Sequence, residues 1–502
     1  MLKGKMICHS KFIIGETDKR LYGSFLEHMG RVIYSGIFEP GHSSADANGF
    51  RADVLEAVQQ MGVTCMRYPG GNFVSNYNWM DGVGPQGLRP HRRELAWRSI
   101  ETNEFGTNEF MTWANRAKVE PILTVNLGTQ GIENALNYLE YVNMPVGTKY
   151  SDLRREHGFQ APYGVKLWCL GNEMDGVWQL GHKTASEYGR LAAETGRAMR
   201  MLDPSIQLIA CGSAKSDMPT FPAWDQEVID HVYGIADFIS IHQYYGGQEL
   251  GTAAFLAQSE DFEKYIAAIR SAILIQKAKS RSNMPMCISV DEWGVWAMQP
   301  ETVTKEVDAS PWQIAPAISE QIYTMEDALL FASMLMTIVR NADIVKIGCQ
   351  SLITNISACI MTQRGGEMWK QTIYYPFQYI ATYAHGKVLH TPIDIPLYSG
   401  KAQLKAAMLD TLAVWNETAS EIALFVVNRS DNEEAELQLE LSGFECRSIL
   451  QSVSLSAKDK KQTNQENHNA VIPHETDQVT LRDNRLTSKF EPLSFNMIRI
   501  AV

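Results

Sequence analysis

The sequence predicts an α/β fold, a (β/α)8 TIM barrel with a C-terminal antiparallel β-sandwich of the jelly-roll kind. Three observations carry this reading. Eight short apolar runs, each ending in polar or glycine-rich residues, recur between Leu21 and about Gln350, and segments of helical periodicity separate them. Beyond about residue 385 the pattern changes to period-two alternation broken by Asn, Asp, Ser and Gly. A chain of 502 residues also exceeds one ordinary core, so one large barrel plus one smaller unit is the natural division.

The strand candidates are Leu21–Phe25, Thr64–Tyr68, Pro121–Asn126, Lys166–Leu170, Gln207–Cys211, Phe238–His242, Met286–Val290 and Ile344–Cys349. Between the first two, DVLEAVQQMG sets Val54, Leu55, Val58 and Met61 on one helical face and closes on Gly62, a C-capping residue. Comparable amphipathic segments begin near Asn108, Ile132, Thr184, Glu260 and Thr324. Parallel strands need crossover helices, and eight strand–helix units can close on themselves; an open doubly wound sheet is the alternative. The barrel is expected over residues 18–384 and the sandwich over 385–502, with residues 1–17 contributing a strand to the sandwich. KAQLKAAML, EIALFVVN, AELQLELSG and SFNMIRIAV read as its strands, and Lys458 to Asp477 as a solvated loop within it.

Composition narrows the function. With 45% hydrophobic residues, 20% charged residues and 11 Trp, the chain can bury large cores. A net charge of −12 with no clustered basic surface excludes a nucleic-acid partner. No export signal opens the sequence, and no apolar run approaches the roughly 20 residues that cross a bilayer, so no membrane partner is expected. The eight cysteines are dispersed without zinc-like spacing, which points to a reduced, cytoplasmic chain with neither metal nor cofactor.

In a (β/α)8 enzyme the reactive groups come from the C-terminal ends of the strands. The first strand runs into Glu27 and His28, the second carries Arg67 and leads to Asn72, and the third ends at Asn126. The fourth ends in Asn172 and Glu173, the sixth in His242, Gln243, Tyr244 and Tyr245, and the seventh in DEWG, with Asp291 and Glu292 at the rim. Glycosidic cleavage requires two such carboxyl groups, one to protonate the leaving oxygen and one to attack the anomeric carbon or activate water there. Glu173 and Glu292 are the candidate catalytic pair. Either alone could be a solvated loop residue or an ion-pair partner; their joint occurrence favours chemistry. Arg67 could brace a carboxylate, His242 could be a hydrogen-bonded core residue, and Tyr244 could donate to the nucleophile. Trp97, Trp293 and Trp296 are candidates for a sugar-stacking wall, whereas Trp113 and Trp168 fall in core patterns.

The motifs GSFLEHMGRVIYSGIFEP, MRYPGGNFVSNYNW, KLWCLGNEMDGVWQLGH, ISIHQYYG, DEWGVW and KQTIYYPFQY together resemble the α-L-arabinofuranosidases of glycoside hydrolase family 51. The resemblance runs over nearly the whole chain. It implies retention of anomeric configuration, with acid/base and nucleophile on strands four and seven, here Glu173 and Glu292. It also implies that Glu27, Arg67, Asn72, Asn172 and Tyr244 hold the furanose hydroxyls and orient the nucleophile, that Trp97, His242 and Trp296 wall the pocket, and that the chain assembles as a homo-oligomer, often a hexamer. The substrate implied is an arabinose-containing oligosaccharide. Three positions depart from the family pattern: Asn72 where a cysteine is common, Gly294 where an asparagine is frequent, and Leu352 where a glutamine is usual, with Gln350 two residues earlier. The alternatives are a related retaining glycosidase acting on a β-xyloside or β-1,4-glucan, and a non-catalytic carbohydrate-binding barrel.

Overall fold

The computed structural model describes residues 1–298, 300–309, 311–400 and 404–502. Eight parallel strands close into a barrel: β1 (Gly23–Phe25), β2 (Cys65–Tyr68), β3 (Glu120–Val125), β4 (Leu167–Leu170), β5 (Gln207–Cys211), β6 (Phe238–Tyr245), β7 (Cys287–Val295) and β8 (Val345–Gln350). Each lies within or against one of the eight apolar runs, and β8 closes on β1 through Cys349↔Gly23 and Gln350↔Ser24. The closed barrel, not the open sheet, is therefore the architecture. Helix Ala52–Met61 buries Val54, Ala57, Val58 and Met61 and ends on Gly62 at φ 83°, a left-handed cap that glycine adopts without penalty. The amphipathic segments near Asn108, Ile132, Thr184, Glu260 and Thr324 form helices Thr107–Ala117, Ile132–Asn143, Ala185–Leu202, Gln258–Ser280 and Met325–Arg340.

The two larger sheets beyond the barrel have seven strands and five. Strand Glu421–Asn428 of the larger sheet is buried along its whole length. Ile422, Leu424 and Val426 pack with Leu437, Leu439 and Leu441 of the smaller sheet, whereas Ala423, Phe425 and Val427 join the barrel's core. EIALFVVN is thus apolar on both faces because it sits between two partners, and strict alternation belongs to Ala435–Ser442 on the outer sheet. The segment Leu2–His9 pairs in parallel with Ala435–Ser442, so one pairing in the antiparallel sandwich is parallel, and Ile13–Glu16 pairs with Lys387–Leu389 of the larger sheet. Residues 401–403 of the expected strand KAQLKAAML lie outside the described residues; the rest forms the short strand Lys405–Ala407, and the long strand follows at Leu409–Asn416.

Helix Met325–Arg340 is buried on every side, wedged between barrel and sandwich. The polar stretch Lys458–Asp477 is not simply solvated. It crosses to the barrel, where Met325 and Glu326 donate backbone N–H groups to Gln462 and Lys460, and His468 stacks on Trp369.

Candidate active site

A cavity of about 450 Å³ opens at the C-terminal mouth of the barrel, and Glu27, Asn72, Trp97, Glu173, Tyr244, Glu292 and Trp296 all line it. Seven of the ten site residues that the resemblance implies thus meet in one place. Arg67, Asn172 and His242 do not line it; they are buried directly behind the two glutamates. Burial there lets charge-assisted contacts act in a low dielectric.

Glu292 is held by three groups. Arg67 donates Nη1 to its Oε1 at 2.7 Å, the Tyr244 hydroxyl lies 3.0 Å from its Oε2, and His242 Nδ1 is 3.5 Å from the same oxygen. Arg67 also donates Nη2 to Asn172 Oδ1 at 2.7 Å, and Tyr244 reaches Ser351 Oγ at 2.6 Å. Glu173 meets His242 Nδ1 at 3.0 Å through Oε1 and accepts from Trp178 Nε1 at 2.6 Å through Oε2. Its backbone, just past the end of β4, adopts φ 43° in the left-handed region. One oxygen of Glu173, one of Glu292 and a ring nitrogen of His242 lie within 4.8 Å of one another.

Glu27 accepts from the backbone N–H of Phe73 and from Trp97 Nε1, both at 2.9 Å. Its approach depends on Gly71, where a Cβ would stand 2.5 Å from Glu27 Oε2. Trp97 is itself fixed by Glu94, whose carboxyl group accepts from the N–H groups of Ala96 and Trp97 at 2.7 Å.

The ionisation of these groups follows from burial and mutual charge. Burial raises Glu292 above the ordinary glutamate range, and Glu173 adds to the rise against the pull of His242 and Arg67. Burial, reinforced by Glu292, pushes Glu27 up to about 8. Burial opposes a charge on His242, but Glu292, Asp291 and Glu173 outweigh it and raise the ring to about 10. Glu173, His242 and Glu292 are spaced as a cation site would be, and His242 Nδ1 stands between the two glutamates at 3.0 and 3.5 Å.

Several sequence readings change. Trp293 is fully buried and packs on Phe331, so it is core and not a sugar platform. Asp291 is also fully buried and lies beneath the cavity, not at its rim. The sequence reading overlooked Trp178, which is half-exposed at the cavity and bonded to Glu173. Its position in a glycine-bearing loop five residues past a strand-end glutamate is the signal that could have found it. Of the departures, Asn72 and Leu352 line the cavity, while Gln350 is turned away, donating Nε2 to Ser357 O at 2.7 Å. At Gly294 a Cβ would meet nothing closer than Ser351 O at 3.4 Å, so a side chain there would have room.

Two carboxyl groups facing each other at the mouth of a (β/α)8 barrel, one beside a half-exposed indole and the other gripped by a guanidinium, define the class: the chain is a glycoside hydrolase. Residues 57–268 match the model of the α-L-arabinofuranosidase 1 domain, and residues 291–494 match that of the α-L-arabinofuranosidase C-terminal domain. Over its full length the chain is 47% identical to the intracellular exo-α-(1→5)-L-arabinofuranosidase 1 of Bacillus subtilis, covering 99% of that protein. It is 46% identical to the intracellular exo-α-(1→5)-L-arabinofuranosidase of Acetivibrio thermocellus, each chain fully covered. Among solved structures, a family 51 α-L-arabinofuranosidase from Bifidobacterium longum superposes with a TM-score of 0.93 at 37% identity, with 99% of each chain covered. The arabinose complex of the α-L-arabinofuranosidase from Thermotoga maritima gives 0.88 at 31% identity, covering 99% of this chain and all of that one. The chain belongs to the α-L-arabinofuranosidases of glycoside hydrolase family 51.

Proposed function

We propose that the chain is a retaining, exo-acting α-L-arabinofuranosidase that releases terminal arabinofuranosyl groups from arabinan- or arabinoxylan-derived oligosaccharides by double displacement. The observation that carries the mechanism is the closeness of the pair, one oxygen of Glu173 lying within 4.8 Å of one oxygen of Glu292. Retaining glycosidases hold the pair roughly 5–5.5 Å apart, whereas inverting enzymes need roughly 6.5–9.5 Å to admit a water. The sugar rests on the relatives, and their α-(1→5) linkage makes short α-(1→5)-linked arabino-oligosaccharides the first substrates to try.

In the first step the Glu292 carboxylate attacks the anomeric carbon as Glu173 gives its proton to the departing glycosidic oxygen, leaving a glycosyl ester on Glu292. In the second, Glu173 takes a proton from water, which attacks the same carbon and frees Glu292 with configuration retained. Arg67 and Tyr244 hold Glu292 in line for attack. Glu27, with Asn72 and the indoles of Trp97 and Trp296, forms the wall that receives the furanose. Asn172, buried behind the pair, accepts from Arg67 at 2.7 Å and donates to Gln179 at 3.3 Å, so it acts by fixing the guanidinium that holds Glu292. Intracellular action fits the relatives' names, and a homo-oligomer remains part of the proposal.

The experiment is a parallel assay of aryl α-L-arabinofuranoside, β-D-xyloside and β-D-glucoside, with the first-formed anomer read by proton NMR. Hydrolysis of the arabinofuranoside with retention is the expected result. Preference for either pyranoside would overturn the sugar, and an inverted product would overturn the mechanism.

A further inference from the structure

DEWG puts two acidic residues side by side on β7, and a regular strand would aim them at opposite faces of the sheet. The structure turns both inward. On the β6 side, Ser240 and His242 pair with Ser289 and Glu292; on the β8 side, Gly348 and Gln350 pair with Val290 and Trp293. Each neighbour advances two residues while β7 advances three, so β7 carries one extra residue, a bulge, around Asp291. Beyond it Trp293 points out to Phe331, Glu292 enters the cavity, and Asp291 lies fully buried underneath.

Every polar neighbour of Asp291 belongs to the site or supports it. Its Oδ2 is 3.2 Å from Arg67 Nε and accepts from Cys169 Sγ at 3.6 Å; its Oδ1 accepts from the Ser240 hydroxyl and lies 3.5 Å from His242 Nε2. Arg67 and His242 are the two cations that reach past it to Glu292, Asn172 and Glu173. We propose that Asp291 is a positioning residue for the hydrolysis, a buried anion that aims Arg67 and His242 at the catalytic pair. This rests on the roles of Glu173 and Glu292 given above.

Charge supports the geometry. Burial disfavours ionised Asp291, but Arg67 and His242 prevail and hold it at about 2, so it is an anion at any working pH. The charged groups facing His242 are Asp291 and Glu292 from β7 and Glu173 from past the end of β4, while Arg67 from β2 and Tyr244 from its own strand share Glu292 with it. Without the charge on Asp291 the ring keeps only the two catalytic glutamates as anionic partners and releases its proton at lower pH. Arg67 loses its ion-pair contact at Nε, an atom that makes no hydrogen bond, and the guanidinium is freer to swing off Glu292.

The test is Asp291→Asn, which preserves size and one acceptor oxygen for Ser240. Wild type, Asp291→Asn and Glu292→Ala are compared on an aryl α-L-arabinofuranoside across pH, and the His242 ring is followed by NMR in histidine-labelled protein. The expected result is a fall in kcat of about 100-fold, the scale of a misplaced catalytic group, with KM little changed. The His242 titration and the basic limb of the kcat profile should both move to lower pH. A folded Asp291→Asn with the wild-type His242 titration and pH profile overturns the proposal, whatever its kcat. Should that variant not fold, the wild type decides: His242 is expected to stay protonated through pH 8, and a midpoint in the ordinary histidine range overturns the proposal. A wild type inactive on the furanoside would instead defeat the proposed function, whereas an active wild type beside an inactive Glu292→Ala confines any failure to Asp291.

Discussion

Two buried charge clusters in this molecule are built on opposite plans. At the seam between barrel and sandwich, Arg429 donates to Asp410 Oδ2 at 2.8 Å and Glu260 Oε1 at 2.9 Å, and Arg340 donates to Asp410 Oδ1 at 2.7 Å. Burial pushes Asp410 up, yet the two guanidinium groups hold it below the usual carboxylate range. At the barrel mouth, Arg67 and His242 serve Glu173, Asp291 and Glu292, Glu27 makes no ion pair among the described residues, and burial leaves Glu27 and Glu292 raised. The seam matches its charges and is spent on holding two units together. The mouth crowds its carboxyl groups together, and such crowding is characteristic of sites that do chemistry.

That contrast can be broken from either side. The largest effect is expected from Glu292→Ala, which should abolish turnover of every glycoside while its melting temperature at pH 8 falls less than that of Arg429→Met, because Arg67 and His242 keep Asp291 and Glu173 as partners. A marked loss of stability would mean that Glu292 is as well matched as Asp410. Arg429→Met should do the reverse. Leaving buried anions without a partner should lower unfolding free energy by about 3 kcal/mol in urea titrations, with kcat of the folded protein unchanged.

The smallest effect, and the sharpest, concerns Glu27→Gln. Glu27 titrates at about 8 in the folded chain against an ordinary glutamate value of 4.5. Between those values the folded protein holds a proton that the unfolded chain has lost, so wild-type stability declines as pH rises through that window. Glutamine does not titrate. The melting temperature of Glu27→Gln relative to wild type should therefore climb from pH 5 to pH 9, and a flat difference would show that Glu27 is not underpaired.

The barrel was legible because each strand is an apolar run with its own punctuation, and the chemistry sits where the runs stop. Glu173, Glu292, Glu27 and Tyr244 could be found that way without knowing any contact. What escaped depends on tertiary partners. Nothing in DEWG announces an extra residue in β7, so the inward turn of Asp291 and the outward turn of Trp293 were hidden. EIALFVVN looked like an alternating strand until the barrel supplied a second buried face. Helices Ala223–Val232 and Tyr374–Tyr383 span ten residues each, too short for period alone to announce them. The arabinofuranose itself was legible only through resemblance, since two carboxyl groups do not specify the sugar between them.

The left-handed backbone at Glu173 has a consequence for how the sequence can change. A residue bearing a Cβ gives up about 1 kcal/mol at such a φ, and glycine gives up nothing. Replacing Glu173 by glycine would therefore relax the chain locally while deleting the group assigned to proton transfer.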